Sequence, residues 1–159
     1  MPPDDSDQAT PRRAGRVLVI DPAGRVLLLQ GFDPAVPAHR FWFTIGGGAD
    51  PGESLAQAAA RELREESGIV AEAAALGAPV WRRTARFSYD GRAYRQEEEY
   101  FALRPGPVEV SLDGLDDEER STVTAHRWWS AAELEATTEP FVPLELPRLL
   151  RQLTGGRPG

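Results

Sequence analysis

The sequence has no cysteine in 159 residues. That excludes a disulfide framework, thiol catalysis and a thiolate metal centre together. Histidine occurs only as His39 and His126, too few and too far apart for a zinc site built on imidazoles. Lysine is absent too, and all eighteen basic residues are arginine. A Schiff-base or P-loop lysine is therefore excluded. No run of eighteen apolar residues occurs, so no segment reads as a membrane span. The opening stretch, MPPDDSDQATPRR, is acidic and lacks an apolar h-region. It does not read as a secretory signal, and a cytoplasmic location is expected. A basic footprint for duplex nucleic acid is also missing, because the formal net charge is −7. A chain this acidic needs local positive charge to handle a polyanion, and a divalent cation would supply it.

What is present fits one globular domain: 41% hydrophobic and 27% charged residues. A chain of this length buries roughly two thirds of its unfolded surface without staples. Residues 1–11 are polar and proline-rich, and read as a disordered tail; 12–153 read as the domain, and 154–159 as a second tail. Gly15–Ile20 and Arg25–Gln30 are apolar runs around Asp21-Pro-Ala-Gly24, which predicts a hairpin. Phe41–Phe43 predicts a short aromatic strand. Gly46–Gly52 reads as a flexible loop. Ser54–Ser67 reads as a helix closed by Gly68, and Ile69–Leu76 as a short strand or linker. Trp81–Tyr89 and Arg92–Leu103 predict two long strands joined at Asp90-Gly91. Pro105–Thr122 reads as an acidic loop and Val123–Trp129 as a strand. Ser130-Ala-Ala-Glu133 forms a capping box for a short helix, and Pro143–Leu153 predicts a last helix. The sum is a mixed α/β (α+β) sheet with helices packed on it.

The chemistry concentrates in Gly47–Ile69, GGADPGESLAQAAARELREESGI. Glu62, Glu65 and Glu66 stand at i, i+3 and i+4, which places three carboxylates on one helix face. Like charges so close oppose the helix by a few tenths of a kcal/mol per pair. A hard divalent cation such as magnesium or manganese would turn that repulsion into ligation. Taken as glutamates alone, the three fit a solvated helix face at least as well. The glycines ahead of the helix leave room for a close approach of substrate or metal to the backbone. Glu53 and the helix start follow directly.

The stretch resembles the signature of the Nudix hydrolases, G-x5-E-x7-R-E-U-x-E-E-x-G-U, where U is aliphatic. Gly47, Glu53, Arg61, Glu62, Leu63, Glu65, Glu66, Gly68 and Ile69 fill every specified position. Family members usually carry proline before the paired glycines, where this chain has Ile45. The resemblance implies a Nudix-like α/β/α sandwich with the box helix packed on a mixed sheet. It implies hydrolysis of a pyrophosphate bond in a nucleoside diphosphate linked to another moiety, with Mg2+ or Mn2+ as cofactor. Glu62, Glu65 and Glu66 would then hold the metal, and Arg61 would hold Glu53 in place. The general base would be Glu53 or Glu66. Gly47 would border the substrate.

Outside the box, Glu97, Glu98 and Glu99 are candidates for an extra acidic ligand, with a solvated strand end as the equal alternative. Arg82, Arg83, Arg86, Arg92 and Arg95 read as surface charge before they read as phosphate ligands. Trp128 and Trp129 must face opposite ways in a strand, so at most one lines a pocket. The proline of ADP-ribose hydrolases, expected near Thr84 or Ala85, is absent. So are the tyrosine of dinucleoside polyphosphate hydrolases, expected near Arg86 or Phe87, and the SQPWPFPxS array of NADH hydrolases. Nucleoside triphosphates, damaged or not, lead among substrates. The expected partner is a nucleotide-type small molecule, with no duplex nucleic acid and no membrane, and a homodimer stays open. The alternative function is a non-catalytic Nudix-fold sensor of a nucleotide or an ADP-ribose-type ligand.

Overall fold

The computed structural model describes residues 9–155. Seven strands form one sheet: β1 Thr10–Val19, β2 Val26–Phe32, β3 Arg40–Gly48, β4 Trp81–Tyr89, β5 Arg92–Leu103, β6 Val123–Trp129 and β7 Phe141–Val142. Four α-helices punctuate them: α1 Leu55–Ser67, α2 Asp117–Thr122, α3 Ala131–Ala136 and α4 Leu146–Leu153. The sheet order is β4-β5-β1-β3-β2-β6, with β7 beside β3. β1 runs parallel to β5 over its whole length, while β3 is antiparallel to both β1 and β2.

Alternation along the central strands makes two cores. Val17, Val19, Leu27, Leu29, Ile45 and Phe101 meet Leu55, Ala59 and Leu63 of α1 on one face. Leu18, Ile20, Leu28, Trp42, Tyr100 and Trp129 meet Leu134, Leu146 and Leu150 of α3 and α4 on the other. The result is the expected three-layer arrangement, with the box helix on the sheet. Gly15 sets the depth of that packing. A Cβ there would stand 2.1 Å from the Leu55 carbonyl oxygen, so only glycine lets the start of α1 lie against β1. Among the described residues, no helix is long and apolar enough to cross a membrane.

Several expectations need correction. The Asp21–Gly24 turn forms, but β1 and β2 do not pair as a hairpin. Beyond the Ile20–Val26 bridge, β3 lies between them, bonding β1 through Ile45–Gly48 and β2 through Leu28's partner Thr44 and the residues before it. Val17–Ile20 and Val26–Leu29 are buried on both faces, and such strands need neighbours on both edges. Gly46–Gly48 are strand rather than loop, because they pair with Ala14–Arg16. Of the two forms expected for Ile69–Leu76 the linker holds, with a 3-10 turn at Ala73–Leu76. The loop before β6 contains α2, and the last helix begins at Leu146 rather than Pro143. β1 begins at Thr10, inside the stretch read as tail, while residues 1–8 and 156–159 lie outside the described residues. The β4–β5 hairpin turns at Asp90 (φ 51°) and Gly91 (φ 79°), the left-handed pair that this dipeptide suits.

Candidate active site

Helix α1 is fixed at both ends by its own sequence. The Ser54 hydroxyl accepts from Gln57 N–H at 3.1 Å, and the Gln57 side chain accepts from Ser54 N–H at 2.8 Å. Gly68 closes the other end in the left-handed region (φ 77°). Between these caps Arg61 gathers the box. Its Nε and Nη2 donate to both oxygens of Glu53 at 2.9 and 3.0 Å, and Nη1 donates to Glu62 at 2.8 Å. Nη2 also reaches the Gly48 carbonyl at 3.0 Å, which ties the helix to the end of β3. The Arg61 bond draws the Glu53 carboxyl below its ordinary range.

Glu66 is 4% exposed, and its Oε1 accepts the Gly46 N–H at 2.8 Å. Glu62 lies over Gly47, where a Cβ would stand 2.7 Å from the Glu62 carboxyl carbon. The third member of the group comes from α2. Glu62, Glu66 and Glu119 each bring a carboxylate oxygen within 4.8 Å of the others. The loop before α2 is stitched to the end of α1. Ser111 N–H donates to the Ser67 carbonyl at 2.8 Å, and Gly114 lies so close that a Cβ would stand 2.8 Å from the Glu65 carbonyl oxygen. That contact delivers Glu119 to the box. Asp116 and Glu119 cap α2 reciprocally, so the same carboxylate that joins the group also orders its helix.

Three carboxyl groups this close disfavour their own ionisation. Burial pushes Glu66 well above the ordinary carboxylate range, and the nearby Glu62 adds to it; Arg16 and the Gly46 N–H oppose it. Burial, with the charge of Glu62 adding, pushes Glu119 up to about 7. Burial also raises Glu62, against the pull of Arg61. Convergent carboxylate oxygens are a donor set that suits a hard divalent ion. Glu65 stands on the same face but outside this group, with its side chain 41% exposed and one oxygen 3.5 Å from Arg61.

The structure does not bring Glu97, Glu98 or Glu99 into the group. Glu98 is buried and accepts from Arg83 at 2.5 Å, Gln96 at 2.6 Å, Tyr100 at 3.0 Å and Arg16 at 3.4 Å. Glu99 pairs with Arg82 at 2.7 Å, and Glu97 is exposed opposite Thr84. The adjacent tryptophans face apart as expected: Trp129 is buried among α3 and α4, and Trp128 packs on the α1 side. Glu119 is the site residue that sequence reasoning missed. A cavity of about 660 Å3, bordered by Asp21, Gly24, Arg104, Ser130 and Arg151, contains none of the three carboxylates.

Residues 10–150 match the NUDIX domain family model. The chain is similar to the RNA pyrophosphohydrolase of Cereibacter sphaeroides, 32% identical over 143 residues that cover 79% of each chain. It is also similar to the NAD-capped RNA hydrolase NudC of Mycobacterium tuberculosis, 31% identical over 121 residues. That match covers 72% of this chain and 39% of the relative, so the chain spans about two fifths of that protein's length. Among solved structures, the MutT protein from Methanosarcina mazei Go1 shares the fold, with a TM-score of 0.65 over 92% of this chain and 95% of that one at 18% identity. The intact box, the sheet that carries it and the family match over most of its length agree: the chain belongs to the NUDIX domain family.

Proposed function

We propose that the chain hydrolyses a pyrophosphate bond in a nucleoside diphosphate linked to another moiety, and that it needs magnesium or manganese to do so. The observation that carries this reading is the convergence of Glu62, Glu66 and Glu119 within 4.8 Å, on a box helix whose Arg61–Glu53 clamp is closed. The three carboxylates would hold the cation, with Glu65 contributing from the exposed rim. A bound divalent ion supplies charge neutralisation for phosphate oxygens and lowers the pKa of an attacking water. The chain supplies placement. Arg61 holds Glu53 and Glu62 relative to the Gly48 carbonyl, so the ligand set is ordered before substrate arrives. Both oxygens of Glu53 are bound by Arg61, and one also accepts the Asp50 N–H at 2.9 Å. We therefore give Glu53 the framing role, and give proton acceptance to Glu66 within the carboxylate group.

The relatives are named as an RNA pyrophosphohydrolase and an NAD-capped RNA hydrolase, which supports a nucleotide-type substrate. The net charge of −7 favours a small nucleotide over a long polyanion, and nucleoside triphosphates remain our leading class. The test is a hydrolysis panel with magnesium or manganese: ordinary and oxidised nucleoside triphosphates, ADP-ribose, NADH, dinucleoside polyphosphates and 5′-capped RNA. Wild type runs beside Glu66→Gln, which removes one ligand charge without loss of volume. Metal-dependent turnover that falls at least a hundredfold in the variant is expected. Turnover indifferent to metal, or equal in both proteins, overturns the assignment. Silence across the panel, with a nucleotide still raising the melting temperature, transfers the reading to a ligand sensor.

A further inference from the structure

We propose that Arg16, anchored by the buried Glu98, is a positioning residue that holds strand β3 so that Glu66 keeps its place in the acidic group. The inference rests on the metal-site reading above and adds to it a residue outside the box. Arg16 pairs across β1 and β3 with Gly46. Its side chain is 19% exposed, and its Nη1 donates to two carbonyls of β3, Thr44 at 3.2 Å and Gly46 at 3.1 Å. The amide between those carbonyls, Gly46 N–H, donates to Glu66 at 2.8 Å.

Gly46 is a point in β3 that needs outside support. It has φ 145°, and a Cβ on it would stand 2.3 Å from the Gly15 carbonyl oxygen and 2.6 Å from Cδ of Arg16. Glycine is therefore required there, and glycine is the residue with the most conformations to leave. Arg16 bonds the carbonyl of Gly46 itself and that of Thr44 two residues earlier, both from Nη1, and so restricts that freedom, because its planar fork holds its N–H groups at fixed geometry. The fork is itself fixed. Its Nε lies 3.4 Å from Glu98, whose side chain is 2% exposed and accepts also from Arg83, Gln96 and Tyr100. Glu98, Arg16, Gly46 and Glu66 thus form one chain of hydrogen bonds from β5 to the box helix.

A buried ion pair serving only the sheet would not need this reach. Arg83 meets Glu98 at 2.5 Å directly, whereas Arg16 spends Nη1 on β3 instead of closing on the carboxylate. Partners that orient metal ligands are worth on the order of 10–100-fold in metal affinity.

The test measures Mn2+ binding to the protein without substrate, by electron paramagnetic resonance. Wild type, Glu66→Gln, Arg16→Met, Arg16→Lys and a remote control, Glu135→Gln, are compared. Charge alone predicts that removing a cation beside the site leaves Mn2+ affinity unchanged or tightens it. Positioning predicts the opposite: Arg16→Met weakens Mn2+ roughly 10–100-fold and alters the bound-ion spectrum, while the control matches wild type. Arg16→Lys keeps the charge but loses the fork. It should weaken binding as well, and it decides the matter if Arg16→Met does not fold. Folded Arg16 variants that bind as tightly as wild type, while Glu66→Gln loses the ion, overturn this inference alone. Wild type that binds no Mn2+, or Glu66→Gln that binds normally, overturns it together with the metal site.

Discussion

Glu98→Gln removes the charge of a carboxylate that is 3% exposed and leaves two arginines facing each other across the gap. Removing one partner of a buried ion pair costs about 3–5 kcal/mol. Arg16 and Arg83 keep 19% and 26% of their side-chain surface in solvent, which screens part of the loss and places the cost near the lower end. About 3 kcal/mol corresponds to a melting temperature roughly 6–12 °C lower for a domain of this size. The effect has a pH signature. Burial raises the Glu98 carboxyl, but the charges of Arg16 and Arg83 and the Gln96 hydrogen bond outweigh it, so the group titrates below its ordinary range. A carboxyl lowered in the folded state stabilises the fold above its unfolded value, about 4.3, and that contribution is lost as pH falls through the folded value. The gap between wild type and variant should therefore be full near neutral pH and narrow as pH falls below about 4.3 and through the lower folded value. Calorimetric melting of both proteins across that range reads this directly. Equal melting at neutral pH, or a gap that persists unchanged into acid, refutes the reasoning.

Gly47→Ala places a Cβ 2.7 Å from the Glu62 carboxyl carbon, so that side chain must move by about 0.7 Å to reach ordinary contact. Turnover should fall at least tenfold with little change in melting temperature, and an unchanged kcat contradicts this. Leu63→Ala empties a fully buried site under the box helix and should cost about 2–5 kcal/mol in urea denaturation; a cost below about 1 kcal/mol would mean the site collapses freely. Glu119→Gln should weaken Mn2+ binding as Glu66→Gln does while α2 persists, because glutamine also completes a capping box. Circular dichroism and Mn2+ titration together check both halves.

Much of the fold was legible because its signals are local. Ser54 and Gly68 bracket α1 at both ends, Asp90-Gly91 turns the long hairpin, and Ser130–Glu133 caps α3. The errors arose where long-range pairing overrides local pattern. Asp21–Gly24 does reverse the chain, with Gly24 N–H donating to the Asp21 carbonyl at 2.9 Å. A turn, however, fixes only direction. Which strand lies alongside is decided by burial, and β1 and β2 each present apolar side chains on both faces. The glycines of β3 misled for a related reason. Composition read them as flexible, while their partners Ala14–Arg16 and the atoms that would meet a Cβ show that they are strand residues stripped for clearance.

The candidate site divides along the same line. Glu62 and Glu66 were readable because one helix turn brings them together, and the Arg61–Glu53 clamp needs only the short loop that precedes the helix. Glu119 arrives from another element. Its local signal was present, since Asp116 and Glu119 have the same spacing as Ser130 and Glu133, yet the surrounding density of acids read as an acidic loop. What makes it part of the site is Gly114, where a Cβ would stand 2.8 Å from the Glu65 carbonyl oxygen, and the Ser111–Ser67 bond that fixes the approach. The run Glu97–Glu99 has the composition of a ligand set without its surroundings. Arg82 and Arg83 stand directly across the hairpin from Glu99 and Glu98 and engage both carboxylates. An acidic residue becomes a candidate cation ligand when its oxygens converge with those of other acids. Glu119, facing Glu62 and Glu66, meets that condition through loop packing that a single sequence does not spell out.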